Sequence, residues 1–301
     1  MNLTVSASPH IHSGASTQKV MRDVLIALAP ALIASIVIFG FRSLLVTVVC
    51  VAACIFFEWG FEKICRKKVT ISDLSAAVTG TLLAFNLPPS IPLWQAIFGC
   101  LIAIVAVKGL FGGLGRNFAN PAATARVVLV LSFSSTMTTW IYPDGISAAT
   151  PMVMLAKGTL PDFGQLITGF TGGCIGETCS IALLIGFAYL LIRRVITWHT
   201  PVCYIATVFV MMLAFGQNPL YQVLSGGLLL GAIFMATDYV TTPSTSWGKV
   251  IFGVGAGAIT VLVRLYGNFN EGVSFAILLM NILTPYISKW TAKKPFGGAG
   301  K

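Results

Sequence analysis

Apolar residues in this chain gather into long uninterrupted runs, each closed by a short polar or Gly/Pro-rich connection. A helix needs about 20 mostly apolar residues to cross a bilayer. Segments that meet or approach this length fall at 23–40, 44–61, 72–87, 92–110, 120–138, 172–192, 200–216, 220–237, 249–266 and 270–288. They are predicted to be helices, because a helix satisfies every backbone group internally where there is no water. The third run is the shortest, carries Thr79, Thr81 and Asn86, and stops at Pro88-Pro89. It reads as a candidate half-helix, a form tolerated only where the freed backbone is buried in protein or lines a cavity. The expected fold is therefore an all-α integral membrane protein of about ten transmembrane helices. Residues 1–22 form an N-terminal segment, 23–288 a single membrane domain and 289–301 a tail. Residues 139–171 are the longest connection, and long loops in compact folds tend to be functional.

Composition agrees with the pattern and charge gives it a direction. Hydrophobic residues make up 56% of the chain and charged residues 9%, against about 25% charged in a soluble domain. The net charge of +10 does not indicate nucleic acid, because the basic residues lie between spans and not on one soluble face. Of the 19 Lys and Arg residues, Arg42, Lys157 and Arg264 fall on one side and Arg126 falls inside the fifth span. The others lie in the connections of the opposite side, which the positive-inside rule makes cytoplasmic together with both termini. The expected location is the inner, cytoplasmic membrane, with lipid as a constant partner. Residues 1–18 show no apolar run of the kind a removable signal peptide has.

Several features are weak taken alone. The seven cysteines form no CxxC pair and no zinc pattern; they read as small packing residues, although Cys174 or Cys179 could face a redox partner. No metal site is expected. Leu83-Ala84-Phe85 with Pro92-Leu93-Trp94-Gln95 resembles Leu213-Ala214-Phe215 with Pro219-Leu220-Tyr221-Gln222, but both stretches run in the same direction, which does not support an inverted repeat. No GxxxxGK[ST], HExxH or GxGxxG motif is present, so nucleotide chemistry is not expected in this chain and no complete catalytic site is assigned to it. Glu58 reads as paired with Arg66 or Lys67.

The loop Asp144-Gly145-Ile146-Ser147-Ala148-Ala149-Thr150-Pro151 supports two readings. Pro143-Asp144-Gly145 is a common turn sequence. Alternatively, the small residues leave the Thr150 hydroxyl accessible for modification by another enzyme. Here the chain resembles a known family: D-x-x-S/T-x-A-T is similar to the acceptor motif of flavin transferases, which attach FMN to a hydroxyl as a phosphoester. The surrounding chain resembles the NqrB/RnfD family of membrane subunits in four further stretches. These are Ser8-Pro9-His10-Ile11-His12-Ser13-Gly14, Gly115-Arg116-Asn117-Phe118-Ala119-Asn120-Pro121-Ala122, Gly173-Cys174-Ile175-Gly176-Glu177-Thr178 and Ala236-Thr237-Asp238-Tyr239-Val240-Thr241-Thr242-Pro243.

The resemblance implies a flavin-carrying subunit of an ion-translocating (Na+ or H+) electron-transport complex linking ferredoxin and NAD+. It implies covalent FMN at Thr150, with Asp144 and Ser147 in the acceptor motif, and a second, non-covalent flavin (riboflavin or FMN) near Asn117 and Asn120. Implied partners are a flavin transferase, the FMN-carrying RnfG, RnfC and the RnfA/RnfE membrane pair. Ala148 stands where a Gly is common in the acceptor motif. Read from the residues alone, Asn120 before Pro121 is a helix cap, which is compatible with a flavin contact. Arg126 could hold a reduced flavin or pair with a group in a partner subunit. Glu177 and Asp238 are either helix caps or members of an ion pathway. A secondary transporter or channel without redox activity is the competing class.

Overall fold

The computed structural model describes residues 16–67, 69–140, 150–156, 158–267 and 272–292. The described residues form helices and connections with no strand. In chain order the helices are α1 (Thr17–Phe39), α2 (Phe41–Ile64), α3 (Ser75–Phe85), α4 (Leu93–Leu101), α5 (Pro121–Ser132), α6 (Ser134–Met137) and α7 (Pro151–Ala156). They continue with α8 (Phe163–Thr168), α9 (Ser180–Ile192), α10 (His199–Ala214), α11 (Pro219–Leu224), α12 (Leu228–Leu230), α13 (Ser246–Tyr266) and α14 (Val273–Thr291). α4 runs on as a π-helix over Ile102–Gly109, and α12 as a π-helix over Gly231–Met235.

Four helices, α1, α2, α13 and α14, are long and apolar enough to cross a membrane by themselves. They leave large apolar side chains such as Ile33, Val37, Phe56 and Trp290 exposed, as expected of surfaces that meet lipid or other subunits. The remaining apolar segments are shorter than the sequence suggests. α3 has 11 residues, about 17 Å at 1.5 Å per residue, roughly half the hydrocarbon thickness. The segment expected at 172–192 becomes helical only at Ser180. The segment expected at 220–237 is interrupted at Ser225-Gly226-Gly227, where both glycines take left-handed φ values of 66° and 68°. Hydropathy is blind to this break because the glycines leave the apolar run intact.

Packing follows one scheme twice. α2 packs on both α3 and α4, as α10 packs on both α11 and α13; α1 meets α3 as α9 meets α12; and α4 meets α5 as α13 meets α14. α1–α9 and α5–α14 contacts join the two halves. Small residues allow the closest approaches: a Cβ on Gly253 would lie 2.8 Å from the Thr200 carbonyl oxygen, and one on Gly257 would lie 2.7 Å from Thr207 Cβ. This is the small-xxx-small spacing by which membrane helices reach backbone contact.

The connections that follow α2, α4, α9 and α14 gather at one end of the bundle, where Lys249 Nζ donates to Thr197 (3.0 Å) and Thr245 meets Thr291 (2.6 Å). This end also carries Lys19, Arg22, Lys63, Arg66, Lys67, Arg116, Arg193 and Arg194 and is called the basic end below. Gly257→Leu is expected to separate α10 from α13 and lower the thermal midpoint of the detergent-solubilised protein, whereas Gly60→Leu, where a side chain meets open space, leaves it unchanged. Equal midpoints for the two variants would contradict this account.

Candidate functional site

The interrupted segments meet inside the bundle and enclose a run of polar groups between its two ends. α3 ends at Asn86, whose Nδ2 donates to the Leu82 carbonyl at 2.7 Å and lies 3.3 Å from Met235 Sδ. Residues 174–177 cross beside this end, where Ile175 and Gly176 N–H donate to the carbonyls of Leu87 and Phe85 at 2.9 and 3.0 Å. These bonds satisfy carbonyls that the short helix leaves open.

Arg126, halfway along α5, is 4% exposed. It donates through Nη1 to Asn86 Oδ1 at 2.6 Å and through Nη2 to Cys174 Sγ at 3.5 Å. It is therefore anchored within its own chain. Glu177 Oε1 accepts from the Cys174 N–H at 2.9 Å, while its buried Oε2 has no hydrogen-bond partner among the described residues. A Cβ on Gly227 would lie 2.5 Å from that Oε2 and 3.8 Å from Arg126 Nη1, so the carboxylate and the guanidinium flank the same glycine. Glu177 thus sits with Arg126 in the interior and not at a solvated helix end.

At the end opposite the basic one, Thr150 caps α7, its hydroxyl accepting from the Val153 N–H at 3.3 Å. It lines a small cavity with Leu166, Gly173, Glu177, Thr178 and Ser225. The residue is only 5% exposed. The accessible hydroxyl expected from the small neighbouring residues is not what the fold presents, because the cap packs Thr150 against the interrupted segments. Asp144 and Ser147 lie outside the described residues.

A second cavity, of about 90 Å³, opens at the basic end. Asn117, Asn120, Thr79, Thr237, Asp238 and Tyr239 supply its polar groups between apolar walls. Asn120 performs the capping role, with Oδ1 accepting from Ala122 and Ala123 N–H at 3.0 and 3.1 Å and Nδ2 donating to the Met235 carbonyl at 3.1 Å. Asn117 Nδ2 donates to the Ala119 carbonyl at 3.3 Å, and the residue lines the cavity. Asp238 accepts from the Thr241 hydroxyl at 3.1 Å and from the Val240 N–H at 3.5 Å. Burial pushes its carboxyl above the usual range, and these two donors oppose the shift.

Two arginines matter more than the sequence suggested, and one predicted pair is different. Arg264, counted among loop charges, is buried in α13 and donates to the carbonyls of Gln222 (2.5 Å), Ser225 (2.9 Å) and Gly226 (3.3 Å). Arg42 likewise donates to the Pro89 and Ile91 carbonyls at 3.4 and 3.0 Å beyond α3. Glu58 pairs with Lys108 at 2.5 Å and not with Arg66 or Lys67. For Arg264, a cation inside an apolar run was the available signal. The Cys100 thiol donates to the Cys50 carbonyl at 3.5 Å between α4 and α2, and among the described residues no group of His, Cys, Asp and Glu could hold a metal ion.

An all-helical bundle with four helices long and apolar enough to cross a membrane, two interrupted segments and a buried arginine beside a carboxylate defines a polytopic membrane protein. The chain belongs to the NQR2, RnfD, RnfE family, whose model matches residues 4–297. It is 44% identical to the RnfD subunit of the Na+-translocating ferredoxin:NAD+ oxidoreductase complex of Acetobacterium woodii, over 99% of this chain and 96% of that one. It is 40% identical to the matching subunit of the proton-translocating ferredoxin:NAD+ oxidoreductase complex of Clostridium ljungdahlii, over 98% and 96%. The matching subunit of the ion-translocating oxidoreductase complex of Vibrio cholerae is 36% identical, over 99% and 100%.

Arg264→Leu removes the donors of three carbonyls at the break. Each lost buried bond costs about 1–3 kcal/mol, so the variant is expected to unfold at a clearly lower temperature in detergent. An unchanged midpoint would show that the break is held by something else.

Proposed function

We propose that this chain is the RnfD subunit of an ion-translocating ferredoxin:NAD+ oxidoreductase complex, in which it relays electrons across the membrane. The carrying observation is likeness over nearly the whole length to two such subunits, at 44% and 40% identity. In this reading the ten apolar segments all lie in the bilayer, α3 as a half-helix, and the basic end faces the cytoplasm, consistent with the excess of Lys and Arg there. The membrane is the inner one. FMN is joined to Thr150 through a phosphoester by a flavin transferase on the outer side, and a second flavin occupies the Asn117/Asn120 cavity. Neighbouring subunits are RnfG, RnfC and the RnfA/RnfE pair.

Bound flavin supplies reversible electron acceptance, and the chain's own residues bind and orient it. Asn117 offers amide hydrogen bonds to a heterocycle edge, and Asn120 fixes the start of α5 beside it. Thr150 supplies the tether. Its burial implies that attachment precedes the final packing of α7. Glu177 and Asp238 are the carboxylates that ion movement would use, one on each side of Arg126. Relatives named for Na+ and for protons share similar identity with this chain, so a few side chains and not the fold choose the coupling ion.

Produced together with its transferase, the chain is expected to fluoresce as a flavoprotein band on a denaturing gel. Thr150→Val should abolish that band at unchanged expression, and a dark wild-type band would sink the covalent assignment. Asn120→Leu should retain the band and lose non-covalent flavin, as measured by extraction; unchanged extractable flavin removes the cavity assignment.

A further inference from the structure

Part of the positive charge at the basic end has no counter-ion within the chain. The connection from α9 to α10 carries Arg193, Arg194, Thr197 and Trp198. It is fixed in place where the Tyr239 hydroxyl donates to the Val195 carbonyl. Arg193 pairs with Asp23 on α1 at 3.3 Å, whereas Arg194 is exposed. Lys249, in the first turn of α13, reaches across to this connection, and its Nζ donates to the Thr197 hydroxyl at 3.0 Å. No carboxylate among the described residues pairs with Lys249. Asp23 is engaged by Tyr189 and Arg193, and Asp238 by Thr241 and Val240.

Two exposed tryptophans accompany the Lys249–Thr197 pair. Trp198 follows Thr197 and stacks on His199 with ring centroids 4.3 Å apart, and Trp247 lies two residues before Lys249. Each heads an exposed apolar stripe that runs into the membrane, Trp198, Val202 and Ala206 on α10 and Trp247, Ile251 and Val254 on α13. Residues three or four apart share a helix face, and tryptophan concentrates where hydrocarbon gives way to headgroups.

We propose that the Lys249–Thr197 seam binds the headgroup phosphate of an anionic phospholipid whose acyl chains lie along the two stripes. Charge complementarity and polarity select this occupant. An ammonium without a counter-ion beside a hydroxyl calls for an anion, and the apolar stripes that begin there call for hydrocarbon. Free phosphate meets only the first demand, and a zwitterionic lipid brings a cation of its own towards Lys249 and Arg194. Thr197 already holds the ammonium in the seam, so little side-chain freedom is lost on binding. The bound lipid ties the α9–α10 connection to α13. The proposal needs the bundle to lie in a membrane and is independent of the flavin assignments.

Native mass spectrometry of the full chain in mild detergent, with phosphatidylglycerol or phosphatidylcholine added, tests the site. The wild type is expected to retain one phosphatidylglycerol in preference to phosphatidylcholine. Lys249→Gln should weaken that retention about fivefold, the weight of one basic residue against an anionic membrane surface. Thr197→Val should weaken it as well, Lys249→Arg should restore it, and Lys63→Gln, at an exposed lysine elsewhere on the same end, should leave it unchanged. Equal retention of the two lipids by the wild type, or equal losses in Lys249→Gln and Lys63→Gln, overturns the proposal. Phosphatidylglycerol should also raise the thermal midpoint of the wild type and not that of Lys249→Gln. An equal rise with inorganic phosphate alone would show a free-anion site and overturn the lipid assignment. In the assembled complex, a phosphatidylglycerol count that does not depend on Lys249 means that another subunit covers the seam, which also overturns it.

Discussion

Polar backbone groups released inside a membrane bundle have no water to bond to, and the architecture depends on how three side chains take them up. Arg264 collects the carbonyls at the Ser225–Gly227 break, and Arg42 collects those beyond α3. Asn86 turns back onto its own helix and at the same time receives Arg126. Once these groups are satisfied, helices too short to span the bilayer become stable. The space they fail to fill becomes the cavities at either end.

Arg126 divides that space. Its guanidinium lies between the Thr150 cavity and the Asn117/Asn120 cavity, with Glu177 and Cys174 on one side and Asn86 and Met235 on the other. A buried positive charge on this line opposes passage of a cation straight through the subunit.

Most of the architecture was legible from the sequence, because hydropathy and the distribution of Lys and Arg respond to the same bilayer. α1, α2, α13 and α14 match their apolar runs closely, and the polar residues and Pro88-Pro89 disclosed the shortness of α3. The interruption at Gly226-Gly227 was hidden because glycine is apolar enough to leave the run intact. Partners distant in sequence were also out of reach. Nothing local connects Glu58 with Lys108, fifty residues away, and nearer cations looked like better candidates. Of the site, the Asn120 cap could be read from Asn-Pro alone, and Asn117, Asn120 and Asp238 do share one cavity. The burial of Thr150 could not be foreseen, since it depends on segments 171–178 and 224–226 folding over it.

The π-helical stretch that ends the fourth apolar segment sets the rotational phase of everything after it. An α-helix advances about 100° per residue, and a π-helix accommodates additional residues in its turns. Lys108 lies near the end of the Ile102–Gly109 stretch. Reverting that stretch to a regular α-helix would swing the lysine around the axis and away from Glu58 and Ser75. The position of the buried charge is thus recorded in the length of the segment as much as in the identity of the lysine. A relative that keeps the lysine but loses one residue upstream would have the charge without its two neighbours.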